Sequence, residues 1–324
     1  MPLAAVSDFI NAADEFFSNL AAVSWGSLAV GLVFFGIYLT FRSRAYYHTL
    51  RAAYPDERFE WRNIWGAYVA AYGFNNVVPA RGGDIMKLFL IHGSISGSTY
   101  PAVGSSFFVE AVFDASMAIP ILIFAFTQGV FPKPPDFSKL HAFDLSFFAS
   151  HPRFLLFTLT VLGLLALAAF ALLSRRVRLF WARVRQGLTM LFDRRRFLRE
   201  VWLVLFCGWL FRCAAFWMLL EAFHIGGSVR NVLLVIATNV VASVVPFTPG
   251  GAGVQQALLV AIFGSGAAAF SVGQQIAISV LSLALGFFAI FAIFRFRSFK
   301  EVIAAGRRSR EAEAEGAPVA SPAP

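Results

Sequence analysis

The chain has few charged residues. Of its 324 residues only 14% are Asp, Glu, Lys or Arg, and 58% are hydrophobic. Soluble proteins normally carry about a quarter charged residues. Several windows hold no charge over about 18 to 20 residues, which is the length that crosses the hydrocarbon core of a bilayer. The composition therefore excludes an ordinary soluble domain and predicts a polytopic membrane protein.

Cysteine and recognisable catalytic motifs are also scarce. Cys207 and Cys213 lie in one apolar run, so neither a disulfide framework nor a metal-binding spacing is implied. The sequence has no nucleophile elbow, no HExxH helix and no nucleotide-binding loop, and its five histidines lie in loops or near predicted span ends. We therefore predict no catalytic residue, no bound metal and no cofactor.

The net charge of +9 comes from arginine-rich clusters that lie beside apolar segments, at 42–58, 175–199 and 295–310. By the positive-inside rule these clusters mark cytoplasmic sides. A nucleic-acid-binding protein would instead carry a separate basic domain, so no nucleic-acid partner is predicted. The excess of arginine over lysine fits a GC-rich bacterial genome. We expect the bacterial cytoplasmic membrane, with the N-terminus outside and the C-terminus cytoplasmic.

The sequence divides into three parts. Residues 1–23 contain acidic but no basic residues and predict an external interfacial segment. Residues 24–298 form the membrane domain, and residues 299–324 read as a disordered cytoplasmic tail. Within the membrane domain, 175–199 has the pattern of an amphipathic helix in the inner interface. Four of its arginines are expected to contact anionic lipid headgroups: Arg176, Arg178, Arg183 and Arg185.

Two apolar segments, 61–98 and 230–266, are interrupted by proline and glycine. The uninterrupted spans are predicted at 24–41, 100–127, 154–173, 200–223 and 270–294. If the basic loop 42–60 is inside and the loop 128–153 is outside, the number of crossings between them must be odd. Each interrupted segment then either re-enters the membrane, which we favour, or crosses twice.

The two interruptions enter from opposite faces, so the halves of the domain are related by inversion. We predict an all-α polytopic fold of about 6 to 8 transmembrane helices, with two broken or re-entrant segments in inverted-repeat halves. Paired breaks of this kind point to a substrate site in a transporter-like protein.

The breaks read NNVVPARGGDIMK at Asn75–Lys87 and VVPFTPGG at Val244–Gly251. Proline and glycine interrupt the helix and free backbone groups, and charges near membrane depth are functional candidates. The candidate substrate-binding residues are Asn75, Asn76, Arg81, Asp84, Lys87, Gly250, Gly251 and Gln256. The alternative is that the charges lie in a solvated loop and that Asp84 is an ordinary helix-capping residue.

Glu110 and Asp114 lie four residues apart in a predicted span and therefore share one helix face. Two like charges in apolar surroundings require a cation or a shifted pKa. Arg212, in the span 200–223, is the candidate partner, and we predict a charged network of Glu110, Asp114 and Arg212. A purely structural ion pair is the alternative.

Three motifs resemble the membrane region of lysylphosphatidylglycerol synthases and their stand-alone, flippase-like relatives. PARGGDIMK resembles the family's PxRxGExxR signature, FVEAVFD its ERxxD element and PFTPGGAGVQQ its PxxPGGxGxxE element. The likeness extends over roughly residues 20–298 in order and spacing. The departures are Asp84 for glutamate, Lys87 for arginine, Ala111 for the second arginine and Gln256 for the last glutamate.

The resemblance implies a translocase that moves a phospholipid or lipid-linked glycan between leaflets. Arg81 and Lys87 would then engage a headgroup phosphate, and Asn75 and Asn76 would orient it. The soluble aminoacyl transferase domain of the full synthases is absent, so aminoacylation is not expected. Two alternatives stay open. The first is an enzyme or enzyme subunit acting on a polyprenyl-linked or phospholipid substrate, with Asp84 as metal ligand or base. The second is a membrane scaffold for a separately encoded synthase or glycosyltransferase.

Overall fold

The structure, a computed structural model, describes residues 22–78, 82–129, 180–243, 253–264 and 267–295. Within these ranges every regular element is helical, which confirms the all-α fold class. In chain order the helices are α1 (Trp25–Ala53), α2 (Trp61–Asn75), α3 (Gly82–Ser94), α4 (Tyr100–Thr127), α5 (Arg194–Ala222), α6 (Val229–Ser243), α7 (Val254–Phe263) and α8 (Ala268–Ile293). Helical turns at 180–187 and Thr189–Phe192 precede α5.

Helices α1, α4, α5 and α8 are long and apolar enough to cross a membrane. The shortest of them, α8, has 26 residues. At about 1.5 Å per residue it spans about 39 Å, against a hydrocarbon thickness of about 30 Å. At most 33% of the apolar window of each helix is buried in the protein, so most of its surface needs lipid as its solvent. The chain is thus a multi-pass membrane protein.

Helix α1 is longer than the sequence predicts. The apolar run ends at 41, and 42–60 is predicted as a loop, yet the helix continues to Ala53. Arginine is a good helix former, so the arginines beyond the apolar run do not stop the helix, and one of them also packs on aromatic rings. The guanidinium of Arg44 lies 5.2 Å from the ring centre of Tyr47 and 5.4 Å from that of Trp61. This extension carries Arg42 into the helix bundle.

The first interrupted segment forms a helical hairpin. Helices α2 and α3 have 15 and 13 residues, or about 20 to 22 Å, which is too short to cross the hydrocarbon. They pack closely on each other. The geometry favours a re-entrant element over two crossings, while the membrane face from which it enters stays a prediction.

The second interrupted segment repeats this plan. Helices α6 and α7 have 15 and 10 residues and contact each other. The break between them, at 244–252, lies outside the described residues. The inverted relation of the two halves therefore stays a prediction.

Small residues allow two close helix crossings. On the pair α1 and α5, a Cβ added to Gly208 would lie 2.8 Å from the Cβ of Phe41. On the pair α2 and α8, a Cβ added to Gly73 would lie 2.5 Å from the carbonyl oxygen of Ser282. Small residues at such seams let helix backbones approach where lipid provides no hydrophobic driving force.

Several predictions concern residues outside the described ranges. They are the N-terminal segment up to 21, Arg81, the loop and span within 130–179, Arg176, Arg178, Gly250, Gly251 and the tail from 296.

Candidate functional site

A cavity of about 640 Å³ lies where the two hairpins meet α1, α4, α5 and α8. Ligand pockets commonly measure about 300 to 1,000 Å³. Its wall includes seven residues singled out from the sequence: Asn75, Asn76, Asp84, Lys87, Glu110, Asp114 and Arg212. The fold thus brings together charges that lie on three separate segments of the chain.

Lys87 and Glu110 form a buried ion pair in the cavity wall. The Nζ of Lys87 lies 3.1 Å from Oε2 of Glu110, and the two residues are 6% and 5% exposed. The same ammonium lies over three aromatic rings, 4.0 Å from Tyr46, 4.3 Å from Tyr68 and 4.4 Å from Phe107. A cation held by a carboxylate and three rings is fully partnered. The predicted contact of Lys87 with a substrate phosphate therefore stays a prediction.

Arg42 bridges both carboxylates of α4. Its Nη1 and Nη2 donate to Oδ1 and Oδ2 of Asp114 at 2.7 and 2.9 Å, the paired geometry in which a guanidinium fork is strongest. Its Nη2 also lies 3.7 Å from Oε1 of Glu110. At position 111, where the ERxxD pattern has its arginine, this chain has alanine. The guanidinium on these carboxylates comes from α1 instead.

The hydroxyl of Tyr68 links Arg42 to Glu110. Its hydroxyl accepts from Nε of Arg42 at 2.7 Å and donates to Oε1 of Glu110 at 3.2 Å. Sequence reasoning missed Arg42 because it directly follows an apolar run and looks like a loop residue. One signal was available, since Phe35, Tyr38 and Arg42 recur at helical spacing on one face of α1.

Arg212 forms no direct ion pair with the α4 carboxylates, although its charge acts on Asp114. Arg42 and Lys87 already hold them, and Arg212 forms no salt bridge with a described residue. Its guanidinium lies 5.7 Å from the ring centre of Tyr38 and 5.6 Å from that of Phe216. It nevertheless lines the same cavity. The predicted cluster is present, with a different pairing.

The side chain of Asn75 clasps the start of α3. Its Oδ1 accepts from the backbone N–H of Gly83 at 2.8 Å, and its Nδ2 donates to Oδ1 of Asp84 at 2.9 Å. Asp84 in turn lies in the first turn of α3, where the helix dipole favours an anion. Asn76 instead donates to Ser282 of α8 at 3.1 Å. Both amides thus hold the hairpin in place, and their contact with a substrate stays a prediction.

Gln256 is not among the cavity-lining residues, whereas its neighbour Gln255 is. Successive residues of a helix point about 100° apart, so only one of the two faces the cavity. The Oε1 of Gln256 accepts from the N–H of Gly253 at 2.6 Å, and its Nε2 donates to Gln275 of α8. Gln256 therefore secures α7, as Asn75 secures α3.

Neutral amides from three further helices also line the cavity. Asn239 of α6, Gln255 of α7 and Gln274 of α8 all line the cavity. Gln274 is 1% exposed, and both polar atoms of its amide lack a hydrogen-bond partner in the described part of the chain. Sequence reasoning passed over it because an uncharged amide in an apolar helix is a weak signal.

The cavity reaches the protein surface along α4. Ala111, Asp114 and Ala115 line the cavity and are also exposed. The next turns of α4 present exposed Ile119 and Ile123, 60% and 59% accessible, as expected of a lipid-facing surface. The opening therefore leads from a charged interior to the apolar exterior of the bundle.

Tyr68→Phe should lower the free energy of unfolding by about 1–3 kcal/mol, because Arg42 and Glu110 each lose a buried hydrogen-bond partner. Thermal denaturation of the full chain in detergent measures this change. Tyr47→Phe is the matched control, since the Tyr47 hydroxyl has no hydrogen bond among the described residues while its ring packs on Phe59. Equal midpoints for the two variants would contradict the network.

Residues 9–293 match the family described as "Lysylphosphatidylglycerol synthase TM region". The match covers most of the chain and confirms the resemblance noted from the three motifs. No curated protein and no solved structure matches the chain.

Proposed function

Because the chain belongs to the family of the lysylphosphatidylglycerol synthase TM region, we propose that it moves a phosphate-bearing lipid between the leaflets of a membrane. One observation carries the proposal: a charged cavity, formed where two broken hairpins meet, reaches the lipid-facing surface of α4. A headgroup needs the polar interior, and its acyl chains need the apolar exit.

Both hairpins contribute polar residues to the wall of the cavity. Irregular backbone and helix termini are tolerated at membrane depth where they line a cavity, and they commonly bind substrate there. The described ends of both breaks, Asn76 and Ser243, line the same cavity. Movement across it is facilitated or ion-coupled in our proposal.

We further propose that the membrane is the bacterial cytoplasmic membrane, with the N-terminus outside and the arginine-rich segments inside. In this orientation Arg183 and Arg185, together with exposed Trp181 at 65%, contact anionic headgroups of the inner leaflet. Partners of the chain are then membrane lipids and, as a secondary expectation, a separately encoded synthase or glycosyltransferase.

Blocking the opening at α4 tests the proposal. Ala115→Trp should stop lipid movement, because Ala115 lines the opening and an indole fills it. Liposomes containing the purified full-length protein and a fluorescent phospholipid report movement as the fraction of probe that reaches an impermeant quencher.

Val112→Trp is the control for the added bulk. Val112 lies on the same helix, is 45% exposed and does not line the cavity. It should leave movement unchanged. Identical leaflet distributions with and without the unmodified protein, for every candidate lipid, would reject a translocase and favour the scaffold or enzyme alternatives.

A further inference from the structure

One cation of the cavity, Arg212, forms no salt bridge with a described residue. Arg42 and Lys87 are both paired with carboxylates of α4. The guanidinium of Arg212 lies on the faces of Tyr38 and Phe216, and it interacts with Asp114 through its charge without a direct hydrogen bond. A guanidinium packed on rings keeps its in-plane N–H donors available, and those donors match the oxygens of a phosphate. These N–H donors make Arg212 a candidate for binding an anion in the cavity.

Two of the three carboxylates that line the cavity are paired with cations. Glu110 and Asp114 accept salt bridges from Lys87 and Arg42. Asp84 accepts from Asn75 and lies at the N-terminus of α3, which already favours its charge. A cationic headgroup therefore finds only Asp84 without a cationic partner among the described residues, and the Asn75 amide and the start of α3 already stabilise that carboxylate.

The second observation is the amide of Gln274, a residue that lines the cavity and whose amide nitrogen and oxygen are buried without a hydrogen-bond partner in the described part of the chain. A buried polar group without a partner is unfavourable, so native structures rarely keep one unless a ligand or water satisfies it. Gln274 offers both a donor and an acceptor, and the side chains of Asn239 and Gln255 beside it have no hydrogen bond among the described residues. Hydroxyl groups satisfy both roles, an ammonium can only donate, and a quaternary ammonium does neither.

We propose that the cavity selects a phosphodiester headgroup with an uncharged, hydroxyl-bearing end, such as glycerol or a sugar. The phosphate lies at Arg212 and the hydroxyls lie at Gln274. This assignment rests on the proposed translocase and names the class of lipid it takes.

Three lipids that share the phosphate but differ beyond it test the assignment in liposomes containing the full chain. They are phosphatidylglycerol, phosphatidylcholine and lysylphosphatidylglycerol. Phosphatidylglycerol should move at least about tenfold faster than phosphatidylcholine, because a site built for a hydroxyl discriminates against a headgroup that has none. It should also move faster than lysylphosphatidylglycerol, in which lysine blocks one glycerol hydroxyl and adds two positive charges. Arg212→Gln should slow the movement of phosphatidylglycerol strongly.

Gln274→Leu separates a ligand contact from a structural one. The variant should slow phosphatidylglycerol by about tenfold or more while its thermal midpoint stays equal or rises, because an unpartnered buried amide is replaced by an apolar group of similar size. A lowered midpoint would show that the amide is bonded within the protein and would overturn the assignment. The same holds if Gln274→Leu slows all three lipids equally.

The remaining outcomes distinguish the two proposals. If phosphatidylcholine moves as fast as phosphatidylglycerol, or if lysylphosphatidylglycerol moves fastest and Asp84→Asn stops it, the headgroup assignment fails and the translocase stands.

Lipid retention by the purified protein, measured by mass spectrometry from an equimolar mixture, gives a readout that does not depend on lipid movement. Selective retention of phosphatidylglycerol that Arg212→Gln and Gln274→Leu abolish, without movement of any lipid, supports the assignment and rejects the translocase. Retention of soluble glycerol phosphate in place of the lipid would likewise support the headgroup assignment and reject the translocase. If no lipid moves and none is selectively retained, both the headgroup assignment and the translocase are rejected.

Discussion

Replacing Glu110 by glutamine should lower the free energy of unfolding by about 3–5 kcal/mol, the range for removing one partner of a buried ion pair. The carboxylate lies between the ammonium of Lys87 at 3.1 Å and the guanidinium of Arg42 at 3.7 Å. Its loss leaves the Lys87 charge buried without a counter-ion. We expect lipid movement to stop as well, because the charged side of the cavity loses its central contact.

Glu200→Gln is the matched control. Glu200 pairs with Arg196 at 2.9 Å on the same protein, but both side chains are at least 33% exposed. Pairs of this kind contribute about 0–1 kcal/mol. Thermal or denaturant unfolding in detergent should separate the two variants clearly. Equal losses would mean that burial of the Glu110 pair has no energetic consequence.

Adding Lys87→Met to Glu110→Gln should restore part of the stability, since the cation and its counter-ion are then removed together. The restored fraction measures the coupling of the pair in a double-mutant cycle. Additive losses would show that each residue acts through other contacts.

Gly83→Ala should destabilise the first hairpin at the upper end of the range of about 1–3 kcal/mol for overpacking. A Cβ at this position overlaps the carbonyl oxygen of Ala71 and lies 2.7 Å from Oδ1 of Asn75. The obstacle is backbone, so α3 must move away from α2 and lose the hydrogen bonds from the Asn75 clasp. Because Asp84 and Lys87 follow in the same helix, the cavity wall moves with it. We expect a lower thermal midpoint and reduced lipid movement.

Gly36→Ala controls for the change in glycine content. Gly36 lies in α1 with nothing within 4 Å of an added Cβ. Alanine there should be neutral or stabilise by about 0.5–1 kcal/mol, as expected in a helix interior. A midpoint for Gly83→Ala that matches Gly36→Ala would show that the contact between α2 and α3 is looser than the structure gives.

The helical fold class and the charged residues of the site could be predicted from the sequence, because both are strong signals in an apolar chain. Glu110 and Asp114 share a helix face within a predicted span, and the interruption at Asn75–Lys87 indicated a hairpin. The pairing was harder to predict. Nothing in the local pattern shows that Arg42 reaches α4 across 72 residues of chain, since that contact depends on the continuation of α1 past its apolar run.

Neutral groups were predicted least well. Gln255 and Gln256 are adjacent in sequence, and only the rotation of α7 decides which one faces the cavity. Gln274 stands in an apolar helix with no motif around it. That its amide has no partner depends on how three helices pack around the cavity, and a sequence pattern does not show that packing.

The seam between Gly73 and Ser282 has a consequence for motion. With backbone pressed on backbone, and with Asn76 bonded to Ser282 at 3.1 Å, the first hairpin cannot slide along α8 without first separating from it. Packed interfaces of this kind switch between discrete arrangements and do not deform continuously. In the proposed transport cycle we therefore expect the first hairpin and α8 to stay fixed relative to each other. The movement that opens the cavity to one side of the membrane and then to the other would then occur at α4, where the cavity reaches the surface.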